Sequence, residues 1–179
     1  MFFINPFIYA GGGDFESIAT VTLSSSASSL TFSDIPSGYQ HLQLRLTLLA
    51  STASGGGAQY GYLRFNSDSG NNYAWHNMYG SGSAVFTENG TSGNRIQLIY
   101  TDSATYVSAG VVDILDYGST SKNKTVRRFT GRDFNGSGYI DIGSGLWMST
   151  NAVTSLSVTA ATNSFGQYST AALYGVKAP

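Results

Sequence analysis

The stretch Asp133-Phe134-Asn135-Gly136-Ser137-Gly138-Tyr139-Ile140-Asp141 matches the opening of a calcium-binding EF-hand loop. Such a loop wants oxygen ligands at its first, third and fifth positions, a glycine at the sixth, an apolar residue at the eighth and a ligand at the ninth. Asp133, Asn135 and Asp141 are therefore the candidate calcium ligands. The last position, which should carry a bidentate glutamate, is Ser144, and Gly143 and Gly145 would hinder a following helix. The same residues read more simply as a hairpin whose Asn135-Gly136-Ser137-Gly138 supplies the positive φ angles of a tight turn. That reading is favoured, and no metal or other cofactor is expected.

His41 and His76 each sit in a strand-like pattern, and no G-x-S-x-G elbow offers a nucleophile beside them. Hydrogen-bonded strand histidines explain them better than catalysis or metal binding. Paired carboxylates for acid–base chemistry could be drawn from Asp102, Asp113, Asp116, Asp133 and Asp141, but no spacing singles out two of them. Asp113 reads as facing a sheet surface and Asp116 a turn. No phosphate-cradling loop is present: Tyr79-Gly80-Ser81-Gly82-Ser83 lacks the lysine and the spacing. Lys122, Lys124, Arg127 and Arg128 gather in one stretch, read as a solvated turn followed by an edge strand guarded by charge, or else a partner-binding patch. Tyr60, Tyr62, Tyr73, Trp75, Tyr79 and Trp147 could form a platform that stacks on sugar rings, with Tyr73, Trp75 and Trp147 the candidates taken forward, although aromatics at alternate strand positions more often form core and cross-strand pairs.

Composition narrows the classes further. The chain has 179 residues, a length suited to one domain, of which 41% are hydrophobic but only 11% charged. A net charge of −1 gives no electrostatic footprint for nucleic acid or an anionic membrane, so neither is an expected partner. Cysteine is absent, which removes disulfides, thiolate metal sites and a cysteine nucleophile. No apolar run approaches the length of about 18 residues that a spanning helix needs.

The elements that would position these residues have a period of two. Leu42, Leu44, Leu46 and Leu48 alternate with Gln43, Arg45 and Thr47, the pattern of a half-buried strand. Similar runs predict strands at 17–23, 41–49, 60–65, 73–79, 95–100, 108–116, 125–134, 139–142, 155–160 and 170–176. Val111 to Tyr117 is richer in apolar residues and reads as a central strand covered on both faces. Turn formers separate the runs at 33–38, 54–57, 66–70, Asn89-Gly90 and Asn135-Gly136. Many short strands without an amphipathic helix predict an all-β fold: an antiparallel β-sandwich, jelly-roll-like, over residues 14–179 as a single domain.

Residues 1–13, MFFINPFIYAGGG, differ from everything after them. Asn5 and Pro6 interrupt the apolar run and no basic residue precedes it, which disfavours a signal peptide. Phe2, Phe3, Ile4, Pro6, Phe7, Ile8 and Tyr9 read as an extended docking arm and Gly11–Gly13 as its hinge, with folding back as an edge strand as the alternative.

Thr31-Phe32-Ser33-Asp34-Ile35-Pro36-Ser37-Gly38-Tyr39-Gln40-His41-Leu42-Gln43-Leu44-Arg45 resembles a family of tailed-bacteriophage virion proteins. The likeness continues through Leu63–His76 and Asp113–Tyr117 and ends at Gly145–Met148 and Ala172–Lys177. These blocks recur in order over nearly the whole chain after Gly13. The resemblance implies a small non-enzymatic β-module of the phage head or tail, found in the virion and assembled in the bacterial cytoplasm. A capsid decoration or cement protein anchored through the N-terminal arm is the leading expectation. Its partners would be the major capsid protein or tail proteins, together with further copies of itself, a trimer being the symmetry such particles suggest. The alternative is a tail or tail-fibre component that binds host-surface carbohydrate through Tyr73, Trp75 and Trp147.

Overall fold

The structure, a computed structural model, describes residues 14–52, 59–101 and 103–177. The period-two alternation becomes twelve strands among the described residues: β1 (Phe15–Thr22), β2 (Ser29–Phe32), β3 (His41–Leu48), β4 (Tyr60–Phe65), β5 (Tyr73–Gly80), β6 (Val85–Gly93), β7 (Ile96–Tyr100), β8 (Ser108–Leu115), β9 (Lys124–Asp133), β10 (Gly138–Trp147), β11 (Leu156–Ala160) and β12 (Thr170–Val176). All pair antiparallel, in an eight-stranded sheet of order β1-β12-β3-β8-β9-β10-β5-β6 and a four-stranded sheet of order β2-β11-β4-β7. The chain is thus an all-β sandwich.

The order has a simple logic. Without β5, β6, β9 and β10, the remaining strands form two four-stranded sheets, β1-β12-β3-β8 and β2-β11-β4-β7. This is the double Greek-key pairing of a jelly roll. The hairpins β5–β6 and β9–β10 are insertions that extend only the first sheet, so the larger sheet runs on past its partner. Leu42, Leu44, Leu46, Leu48, Val112 and Ile114 on the inner face meet Leu30, Phe32, Leu63, Phe65 and Val158 of the smaller sheet in one buried core. Each such side chain contributes about 1.5–3 kcal/mol when taken out of water.

Several sequence expectations are corrected. The four-residue edge strand β2 has too few residues to show a period. Asn89-Gly90 is no turn between strands, because both residues lie inside β6. A Cβ on Gly90 would stand 2.5 Å from Trp75 Nε1, so the glycine admits the indole, and the ladder shifts register between Tyr73 and Trp75. β9 is no edge strand, since β8 and β10 flank it. The basic stretch is dispersed: Lys124 is fully buried, with its ammonium donating to the Ser119 and Lys122 carbonyls at 2.7 and 2.8 Å, and Arg128 points into the interior. β8 is central, as expected, but covered on one face only, and Val111 is exposed.

Candidate functional site

Two surfaces of the large sheet carry unusual chemistry. The first is its inner face beyond β8, where the inserted hairpins replace leucines with polar residues. Register places Arg128, Gly143, Asn77 and Glu88 side by side across β9, β10, β5 and β6, with Thr130, Asp141, Tyr79 and Phe86 as the next row. The Arg128 side chain is 1% exposed; its Nη1 lies 3.1 Å from Asp141 Oδ2 and donates to Thr130 Oγ1 at 3.3 Å. Burial pushes the Asp141 carboxyl up and the Arg128 guanidinium down, and each shift is only partly offset by the partner. Desolvation therefore outweighs the pairing, the usual balance for a buried ion pair. Arg128 Nε and Nη2, Asp141 Oδ1 and both side-chain polar atoms of Asn77 have no hydrogen-bond partner. Unsatisfied atoms at this density are costly, and such groups concentrate at binding sites.

Beside this polar floor a cavity of about 300 Å³ opens between the sheets. Tyr60 of β4 and Gln97 and Tyr100 of β7 form one wall, while Tyr79, Glu88, Arg132, Tyr139 and Asp141 come from the inserted hairpins. Ring centroids follow one another at 5.0 Å (Tyr60–Tyr100), 5.9 Å (Tyr100–Tyr139) and 5.9 Å (Tyr139–Tyr79). Tyr79 Oη donates to Glu88 Oε1 at 3.4 Å and Gln97 Nε2 to Glu88 Oε2 at 3.3 Å, both long contacts. The Arg132 guanidinium lies 3.5 Å from the Tyr100 ring centroid and 4.6 Å from that of Tyr139. Burial, aided by the nearby Glu88 charge, pushes the Tyr60 hydroxyl up to about 12.

The second surface is the outer face of the same sheet. Arg45, Val111, Phe129, Ile142 and Met78 stand opposite one another in a single row across β3, β8, β9, β10 and β5. The four apolar members are 38–54% exposed, a continuous strip about 14 Å wide at the spacing of strands. The adjacent row adds the exposed Ile140 and Val85. On the other side runs a polar row, Gln43, Asp113, Arg127, Ser144, His76 and Asn89, in which Arg127 Nη2 lies 3.8 Å from Asp113 Oδ2.

The sites expected from sequence fall elsewhere. Tyr73 and Trp147 are 0% and 1% exposed and stack 6.2 Å apart in the core, so they form no open sugar platform; Trp75 is partly buried against the same core. Asp133 and Asp141 occupy opposite faces of the sheet, because Asp133 shares the parity of Phe129 and Asp141 stands opposite Thr130. Asp133 Oδ1 instead accepts the Asn135 amide at 2.7 Å, and Asn135 and Gly136 take φ of 58° and 117° in the hairpin. Among the described residues no group of three or more His, Cys, Asp or Glu is placed to hold a metal. His41 Nδ1 accepts the Asp116 amide at 2.9 Å, and His76 lies on the exposed polar row. Asp113 and Asp116 are engaged by Arg127 and Lys122. The arm residues Phe2, Phe3, Ile4, Pro6, Phe7, Ile8 and Tyr9, and Asp102, lie outside the described residues.

Of the cavity residues, Tyr60 and Tyr79 belong to the aromatic set that the sequence offers for sugar stacking, whereas Tyr100, Tyr139 and Glu88 were missed by sequence reasoning. Strand parity puts Tyr73, Trp75, Asn77 and Tyr79 on one face of β5, but parity alone cannot say at which end of that face the space between the sheets stays open.

The class these features define is an antiparallel jelly-roll sandwich enlarged by two hairpins. No family model matches the chain and no curated protein matches it. A crystal structure of a protein of unknown function from Shewanella oneidensis MR-1 shares 8% identity over 99% of this chain and 85% of that one, with a TM-score of 0.20. A likeness that low carries no argument.

Proposed function

We infer that the chain is a non-enzymatic structural protein of a tailed-bacteriophage virion, a decoration or cement protein seated on the capsid. The observation that carries this reading is the exposed row Val111–Phe129–Ile142–Met78, an apolar strip on a broad sheet with a polar row along one side. An apolar centre with a hydrogen-bonding margin is the anatomy of a protein interface. Its occupant in this reading is the outer surface of the major capsid protein. A net charge of −1 offers little long-range steering, so contact is made by packing. The block-by-block resemblance to phage virion proteins and the use of jelly rolls in viral capsids support the same reading by analogy. The N-terminal arm, Phe2 to Tyr9, would add a second anchor, and copies of the chain would associate, as a trimer in the simplest case. Among the described residues, Asp113, Asp116 and Asp141 pair with Arg127, Lys122 and Arg128, and Asp133 caps a turn.

Immunogold electron microscopy on particles of the source phage, with an antibody that recognises the native sandwich, tests the reading. Gold over the heads is expected. Gold confined to tails would move the chain to the tail, and unlabelled particles would overturn the virion assignment.

A further inference from the structure

The cavity between β4, β7 and the inserted hairpins has no part in docking through the outer face, and its chemistry is that of a ligand site. Three features restrict what it can hold. First, Arg132 already stacks on Tyr100 and Tyr139, so a second cation entering the tyrosine ring would meet a like charge at close range. Second, Glu88 and Asp141 both line the cavity, which opposes an anion. Third, a purely apolar guest would leave Glu88 with only its two long contacts and the buried Asp141 Oδ1 with none, at the cost of unpaired polar groups. A neutral guest bearing several hydroxyls and an apolar C–H face satisfies all three. Its hydroxyls would donate to the two carboxylates while its C–H face lies on a tyrosine ring. The volume, about 300 Å³, is at the small end of ligand pockets and suits one ring rather than a chain.

We propose that this cavity binds a single neutral saccharide ring, with Glu88 and Asp141 accepting from its hydroxyls and Tyr79, Tyr100 and Tyr139 supplying stacking faces. The ring comes either as a free monosaccharide or as a terminal or branch unit of a bacterial surface polysaccharide; the chemistry is shared. This site shares Tyr60 and Tyr79 with the aromatic set that the sequence offers but not Tyr73, Trp75 or Trp147, and its failure would leave the docking surface untouched.

The test uses the full chain in two arms. Saturation-transfer NMR with D-glucose, D-galactose, L-rhamnose and N-acetyl-D-glucosamine probes free rings, and an array of bacterial surface polysaccharides probes chain-borne ones. Signal in either arm is expected, weakened about tenfold or more by Glu88→Gln, the loss expected for one charge-assisted hydrogen bond. Should that variant fail to fold, Tyr139→Ala, which truncates a ring 39% exposed at the cavity mouth, serves instead. Signal in the first arm assigns a free ring, and signal in the second alone assigns a polysaccharide unit. No signal in either arm, or signal unchanged in both variants, overturns the proposal.

Discussion

Tyr73 and Trp147 stand opposite each other at one end of β5 and β10, and Tyr79 and Tyr139 occupy the other end of the same two strands. The first pair is closed. Tyr73 Oη donates to the Asp68 carbonyl at 3.1 Å and accepts the Phe65 amide at 3.2 Å, Trp147 Nε1 donates to Asp68 Oδ2 at 2.7 Å, and Phe65 fills the space between the sheets. The second pair is open, beside a cavity, the Glu88 and Asp141 carboxyl groups and, paired with Asp141, the buried Arg128, whose Nε and Nη2 have no hydrogen-bond partner. Similar aromatic residues on the same strands therefore do opposite work. What separates them is whether side chains fill the space between the sheets, as Phe65 does beside Trp147, and whether their polar neighbours are satisfied.

That difference predicts different responses to mutation. Trp147→Ala should destabilise the fold by about 3–5 kcal/mol, the range for truncating a buried aromatic, whereas Tyr139→Ala should cost under about 1 kcal/mol. Urea titrations of both would break the comparison if the costs came out equal. Asp141→Asn should also be severe, about 3–5 kcal/mol, because it strands the Arg128 charge; joint replacement by Arg128→Met and Asp141→Leu should recover much of the loss. A double variant no more stable than the single one would contradict the view that this pair is retained at a cost.

A smaller effect sharpens the closed end. Hydrogen bonds from Asn72 Nδ2, the Gly70 amide and Trp147 Nε1 hold the Asp68 carboxyl below the usual 3.8. With the folded value depressed, the unfolded chain binds the proton more readily. The stabilisation is therefore complete above 3.8 and is lost as pH falls through the lower folded value. Asp68→Asn should flatten the acid limb of stability against pH, and an unchanged limb would remove Asp68 from the closed cluster. Smallest of all, Tyr79→Phe should leave the urea midpoint nearly unchanged, since its hydroxyl makes only a 3.4 Å contact, while Tyr73→Phe should lose about 1 kcal/mol.

The all-β class and ten of the twelve strands were legible from alternation, and Leu42 to Leu48 fall on the buried face as their period requires. β6 was not, because Val85-Phe86-Thr87-Glu88-Asn89-Gly90 mixes strand formers with a turn dipeptide, and only the Trp75 ring explains the glycine. The sites were less legible than the strands. Alternation puts Tyr73 and Tyr79 on the same face without distinction; Phe65 and Asp68 close the space at the Tyr73 end, whereas Tyr60 and Tyr100 only wall a cavity at the Tyr79 end, and neither arrangement shows in the β5 pattern. Likewise, Arg127 and Arg128 look alike in a basic stretch, yet parity sends one to solvent and the other into the interior.

Both aromatic clusters lie on the inner face, whereas the proposed role in the particle rests on the outer one. Its most direct test is binding of the purified chain to phage particles lacking it, with Phe129→Ser and Ile142→Ser combined. Both side chains are about half exposed, so the double variant should fold with a urea midpoint near that of the parent. The account predicts that the parent cosediments with the particles and that the folded variant stays in the supernatant; equal cosedimentation of the two would contradict it.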